Sequence, residues 1–270
     1  KFKQWYQANN NIEKVCTNTN DPTIQIVRYN DLKTAYSDLS EQLASFFKGL
    51  YSKDLLNLAA LREKIGQIDD HYDEFMTVNN EEICPFCGIT GIKGVNHSKR
   101  EAYDHYLPKA IYPFNSINFR NLAPACNECN SSYKLSKDPV HNAAGRRKAF
   151  YPYAATRQPI EIRIELSTSD IAHLGSADVQ LTFSPDVISE EIETWKDVYG
   201  IEERYKAKCC GKNGGKYWME ELITQCNNYQ VELEKALASQ RQVAEKYPFA
   251  DSNFLRVAFL EACHHIGMWT

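Results

Sequence analysis

No apolar run in this 270-residue chain approaches the roughly 20 residues needed to span a bilayer, so a membrane-spanning class is not expected. A signal-peptide pattern is lacking too, since Lys1-Phe2-Lys3-Gln4-Trp5 leads into a polar, Asn-rich stretch. Cytoplasmic localisation is the resulting expectation. There are no internal repeats and no low-complexity tracts. A closed disulfide framework is disfavoured because the cysteine count, nine, is odd. Charge of one sign is not in large excess either: the net charge is -4, which does not describe a free-standing nucleic-acid binder.

What is present is the composition of an ordinary globular protein, 43% hydrophobic and 24% charged. The charge is unevenly spread. Between Gly91 and Arg157 eleven basic residues (Lys93, Lys99, Arg100, Lys109, Arg120, Lys134, Lys137, Arg146, Arg147, Lys148 and Arg157) face four acidic ones (Glu101, Asp104, Glu128 and Asp138). That segment carries +7 and leaves -11 for the remainder. A basic centre between acidic flanks attracts a polyanion locally while the whole stays soluble.

Helical periodicity runs from Asp31 to Phe47, with Asp31 as N-cap, and again from Ser52 to Met76. At Asn79 the texture changes to dense Cys, Gly and Pro, with too few apolar residues in register to build an ordinary core. Ile160 to Leu166 and Val179 to Phe183 alternate apolar and polar residues and predict a hairpin. Helices are expected again over 190–199, 201–205, 218–237 and 253–268, with 208–216 as a flexible basic loop. The fold class is therefore α+β and mostly helical. Its expected regions are an N-terminal helical region (1–79), a central zinc-bound unit (80–153), a β-hairpin (154–186) and a C-terminal helical region (187–270).

Two Cys-x-x-Cys pairs flank the central segment: Cys84 with Cys87, and Cys126 with Cys129. Two such turns can each offer two thiolates to one tetrahedral zinc ion, and four thiolates close its shell, which makes the zinc structural. Gly88 suits the positive φ of a tight knuckle. The competing reading, ordinary buried cysteines or a redox pair, lacks the βαβ pattern that a redox Cys-x-x-Cys accompanies.

Between the pairs stand Asp104-His105, then Asn121-Leu122, and Asn130 follows Cys129 directly. Asp104 and Asn130 offer two hard oxygens to a cation such as Mg²⁺ or Mn²⁺, which keeps several waters and needs few protein ligands. His105 titrates near neutrality and suits proton removal from an attacking water. Asn130 can equally cap its helix. His97 and His141 are candidates for a further ligand. Lys134 and Arg147 are candidates to stabilise a pentavalent phosphate, against a plainer reading as solvated surface residues.

This ordered set over about Ile83 to Lys134 resembles the zinc-bearing branch of the HNH (ββα-metal) endonuclease superfamily. The resemblance implies that His105 is the general base and that Asp104 and Asn130 bind the catalytic divalent metal. It also implies that Asn121 orients the His105 loop by hydrogen bonds, with Asp104 and His105 on a hairpin and Asn130 opening the following helix to about Lys137. More loosely, through Arg146 to Tyr153 and the Trp195 to Tyr205 segment, the layout is similar to the HNH nuclease subunits of Septu-type anti-phage systems, some of them retron-associated. That likeness implies an ABC/SMC-like ATPase partner and a DNA or RNA substrate. The alternative is a catalytically inactive zinc-ribbon module that binds nucleic acid or protein.

Overall fold

The computed structural model describes residues 2–17, 26–51, 56–156 and 158–268. The chain is α+β and mostly helical, with three two-stranded antiparallel ribbons among the described residues. It divides into two compact units, one of residues 1–157 with 190–199, the other of residues 158–189 with 200–270. Among the described residues no helix is long and apolar enough to cross a membrane.

The first unit opens with α1 (Phe2–Asn9), α2 (Ile12–Cys16), α3 (Tyr29–Lys33) and α4 (Ser37–Leu50), followed by α5 (Ala59–Ile65) and α6 (Ile68–Val78). The continuous helix expected from Asp31 is instead two, separated at 34–36. The first begins before Asp31, whose carboxylate reaches back to accept the Arg28 N–H at 2.9 Å. Asp31 thus sits in the first turn rather than at the N-cap. The next periodic stretch is also broken, because Gly66 takes φ +85 and ends α5. Its first residues, 52–55, lie outside the described residues.

The centre of this unit is small. Strand β1 (Tyr103–His105) pairs with β2 (Leu122–Pro124) in the register Tyr103↔Pro124, Asp104↔Ala123, His105↔Leu122. The short helix α7 (Glu128–Lys134) follows, and a minimal ribbon, β3 (His141–Asn142) with β4 (Gly145–Arg146), closes the segment. All six residues of β1 and β2 are buried. Behind them His71 of α6 bridges two tyrosines, its Nδ1 2.8 Å from Tyr103 Oη and its Nε2 3.2 Å from Tyr153 Oη, and Tyr153 also bonds the Leu122 carbonyl. Arg146 ties the segment to α2 by donating to the carbonyls of Val15 (2.6 Å) and Val140 (2.8 Å). Helix α8 (Ser189–Tyr199) contributes residues 190–199, in which Trp195 Nε1 donates to the Phe86 carbonyl at 2.5 Å and Tyr199 stacks on Phe86 at 4.7 Å.

The second unit holds the expected hairpin, β5 (Glu161–Leu166) with β6 (Val179–Ser184), in full register. Its helices are α9 (Ile201–Cys210), α10 (Tyr217–Tyr229), α11 (Leu233–Lys246) and α12 (Asn253–His265). They enclose Trp218, Leu222, Leu237, Leu255 and Phe259, all buried. The stretch 208–216 is not a loose loop. Its first residues finish α9, and Lys212–Lys216 makes an irregular, kinked π-type turn in which Gly214 and Gly215 are buried. A Cβ there would stand 1.9 Å from the Lys208 carbonyl and 2.0 Å from that of Cys209, so only glycine fits. The helix expected over 218–237 is likewise two, parted where Gln230 adopts φ 50.

Candidate metal centre and active site

The four cysteines of the two pairs come together. Their sulfurs lie within 4.8 Å of one another, all buried, with Cys87 and Cys126 at 4.0 Å. Each turn is shaped for ligation by backbone bonds. Gly88 at φ +68 donates to the Cys84 carbonyl at 2.9 Å, and the N–H groups of Cys126 and Cys129 point at the sulfurs of Cys84 and Cys126, each at 3.4 Å. Thiols so crowded cannot all ionise unaided: hydrogen bonds from its neighbours bring Cys126 down to about 6, while burial holds Cys84 well above the ordinary thiol range. A tetrahedral zinc ion with bonds of about 2.3 Å requires sulfurs at roughly this separation. The donor set fits zinc, and these four residues could hold it.

Asp104 is almost wholly buried, and so is Lys134, whose side chain is 0% exposed. The Lys134 ammonium donates to Asp104 Oδ1 at 2.8 Å and to the His105 carbonyl at 2.8 Å. Burial pushes the Asp104 carboxyl up, and the ammonium opposes that shift. Asp104 Oδ2 is left buried with no hydrogen-bond partner, an expensive state for a carboxylate oxygen unless a cation completes it. Lys134 is therefore neither a solvated surface residue nor free to meet a phosphate. Arg147 is buried as well, donating to Asp197 Oδ2 at 2.6 Å and to the Asp138 carbonyl at 2.7 Å.

Helix α7 is wound in π fashion, with the Leu135 N–H reaching the Asn130 carbonyl at 3.2 Å, five residues back. Asn130 and Lys134 then both face β1. Asn130 Nδ2 donates to the Tyr103 carbonyl at 3.2 Å, which leaves its amide oxygen available. Asn130 lies within α7 and is not its N-cap.

His105 is 9% exposed. Its Nε2 lies 3.1 Å from the Ser116 carbonyl, an acceptor only, so Nε2 carries the proton and Nδ1 presents a lone pair. Burial first, then the Lys109 ammonium, lower its pKa to about 4, so the ring is neutral at pH 7. Tyr51, at the end of α4, packs edge-on against it with ring centroids 4.3 Å apart. Asn121 is fully buried, with Oδ1 accepting from the Leu107 N–H at 2.7 Å and Nδ2 donating to the Leu107 carbonyl at 3.0 Å. It thereby pins the chain immediately after His105.

The remaining candidates are not gathered here. His97 Nδ1 accepts from Gly94 N–H at 3.1 Å within its own loop, and His141 lines a cleft with Asp138. Among the described residues the four cysteines are the one group of three or more Cys, His, Asp or Glu close enough to share an ion. Sequence reasoning missed Tyr51 and Ser116. Tyr51 lies far upstream with no motif, and Ser116 acts through its backbone carbonyl, which its identity cannot reveal.

The Asp104–Lys134 pair supports a stability prediction. Lys134→Met should lower unfolding stability by about 3–5 kcal/mol, because it strands a buried carboxylate. The double variant Asp104→Asn with Lys134→Met should regain most of that loss in denaturant titration. Additive losses would show that the two groups do not act as a pair.

Among known proteins, the chain is similar to protein ea31 of Escherichia phage lambda, 38% identical over 86 residues, covering 31% of this chain and 26% of that protein. It is also similar to Septu protein PtuB of Bacillus thuringiensis, 27% identical over 116 residues, covering 40% of this chain and 44% of the relative. The chain thus spans less than half the length of either relative. No family model and no solved structure matches.

Proposed function

We propose that this chain is a metal-dependent endonuclease of the HNH (ββα-metal) type, and that residues 80–153 form its nuclease unit. The observation that carries the reading is the orphaned, buried Oδ2 of Asp104, next in sequence to a His105 whose Nε2 is committed to the Ser116 carbonyl and whose Nδ1 is left unprotonated. In this reading Asp104 Oδ2 and the amide oxygen of Asn130 would hold Mg²⁺ or Mn²⁺. Such an ion, when bound, neutralises charge developing on the phosphate. His105 Nδ1 takes a proton from the attacking water, while Ser116 and Tyr51 hold the ring in place. Asn121 fixes the backbone after His105, and the four-cysteine centre, loaded with zinc, would staple the turn at Cys84 to the start of α7.

The likeness to a Septu protein supports an anti-phage role, and we extend it to a defence complex in which an ABC/SMC-like ATPase governs access to DNA or RNA. The test is a plasmid-nicking and RNA-cleavage assay with Mg²⁺ or Mn²⁺, run on the purified chain and on the chain co-purified from its native operon. Wild type should cut, and Asn130→Ala should need about tenfold or more metal for half-maximal rate. A chain that binds nucleic acid but cuts neither polymer under any divalent ion is instead a zinc-ribbon binding module.

A further inference from the structure

The basic field of the central segment is largely consumed within the fold. Lys93 pairs with Glu101 at 2.6 Å, Arg100 with Asp69 at 2.8 Å, Arg147 with Asp197 at 2.6 Å, and Lys148 with Glu190 at 3.7 Å. Lys137 shares Asp197 at 3.8 Å, Lys134 is committed to Asp104, and Arg146 to two carbonyls. Three of the partners, Asp69, Glu190 and Asp197, come from the acidic flanks. A surface so neutralised holds a polyanion weakly, so the grip must come from cations without a carboxylate.

One such cation stands beside the ring that covers His105, and two more lie outside the basic segment on α3 and α4. Lys109 is exposed and stands 5.0 Å from the Tyr51 ring, the ring that touches His105. Lys48, on α4, and Lys33, on α3, are exposed and lie 5.8 and 5.9 Å from the ring of Tyr29. None of the three forms an ion pair among the described residues. The helices that carry them are anchored to the site: the Tyr29 N–H donates to the Ile111 carbonyl at 2.8 Å, and Phe47 packs on Phe114 at 5.3 Å. Leu43 and Phe47 also cover Val27, Leu32 and Phe114. Tyr29, Ala110 and Ile111 also line a separate cleft of about 310 Å³, which Asp138 and His141 share and which none of the three lysines enters.

We propose that Lys109, Lys48 and Lys33, each held over a tyrosine ring, form a track that binds the phosphodiester backbone of the substrate strand where it leaves the His105 site. The tyrosines limit the rotamers that the ammonium groups sample, which lowers the entropic cost of binding each phosphate. This inference rests on the hydrolase reading of that site. It assigns two of the three gripping cations to the α3–α4 helical pair and leaves Lys109 as the contribution of the basic central segment.

The test uses full-length chain in a His105→Ala background, titrated against fluorescein-labelled single-stranded DNA and RNA of one sequence over a range of NaCl. Replacing all three lysines with Gln should weaken binding and flatten the slope of log Kd against log salt by about 2, near 0.7 for each phosphate no longer neutralised. A charge-matched control, Lys64→Gln with Lys212→Gln and Lys235→Gln, should keep the parental slope. Whichever polymer loses more affinity identifies the substrate. Equal slopes for the triple variant and its parent, or no binding of either polymer by the parent, overturn the track. Hydrolysis of bis(p-nitrophenyl) phosphate by the wild-type chain with Mn²⁺ tests the hydrolase reading separately, since that small diester does not extend along the track.

Discussion

Replacing His105 with alanine is expected to slow phosphodiester cleavage by about 10²–10⁴-fold, the usual worth of a positioned base, while the chain stays folded. The two effects separate because the ring's structural contacts are few. Among the described residues the ring makes one hydrogen bond, to the Ser116 carbonyl, and one edge contact, with Tyr51. Losing them, together with the space that the buried ring fills, costs about 2–4 kcal/mol, within the reserve of an ordinary domain. Among the described residues no hydrogen bond reaches its remaining nitrogen, which leaves that atom for chemistry. Single-turnover cleavage rates, read beside a thermal melt, check both halves. An alanine variant that cuts as fast as wild type removes His105 from the role of base. Asn121→Ala offers the contrast, since that side chain makes three buried bonds to backbone and its loss should show first in the melt.

The second large effect concerns the cysteine centre. Purified protein should contain about one zinc per chain, and Cys84→Ser or a strong chelator should unfold the segment around residues 80–153. The magnitudes decide the direction. Zinc held by four thiolates contributes on the order of 10–16 kcal/mol in small domains, whereas whole domains are stable by only about 5–15. Serine is close to cysteine in size, so the loss reports ligation rather than packing. Hydrogen exchange localises it: protection should vanish across β1, β2 and α7 while α10 to α12 keep theirs. A chelated protein with unchanged exchange and no bound zinc would show that packing alone holds the cysteines together.

The parts of the fold that could be read from the sequence were those with a strict local signature. The paired cysteines announced their meeting by spacing. The alternation of Ile160 to Leu166 and of Val179 to Phe183 foretold a hairpin, because period-two burial leaves one face for the core. Helix breaks were illegible where a single backbone angle decided them, as at Gly66 and Gln230. The glycine-rich stretch after Cys210 misled because glycine marks both loose loops and close approach, and here the Lys208 and Cys209 carbonyls required the second. Charge counting misled in the same way. It recorded how many cations the central segment holds but not that Asp69, Glu190 and Asp197 would fold back upon them. Lys134 is the sharpest instance, for a lysine is rarely fully buried, and only the π winding of α7 aims it at Asp104.

How this protein is made and dissected depends on one short stretch of chain. Trp195 and Tyr199 clasp the backbone and ring of Phe86, between the first two cysteines, yet they are encoded more than 100 residues downstream. The unit that carries His105 is therefore discontinuous, and truncation after its apparent end near residue 157 would leave the first cysteine turn without its cover. On the ribosome that unit cannot complete its packing until residue 199 has emerged, so an active fragment short of that point is not to be expected.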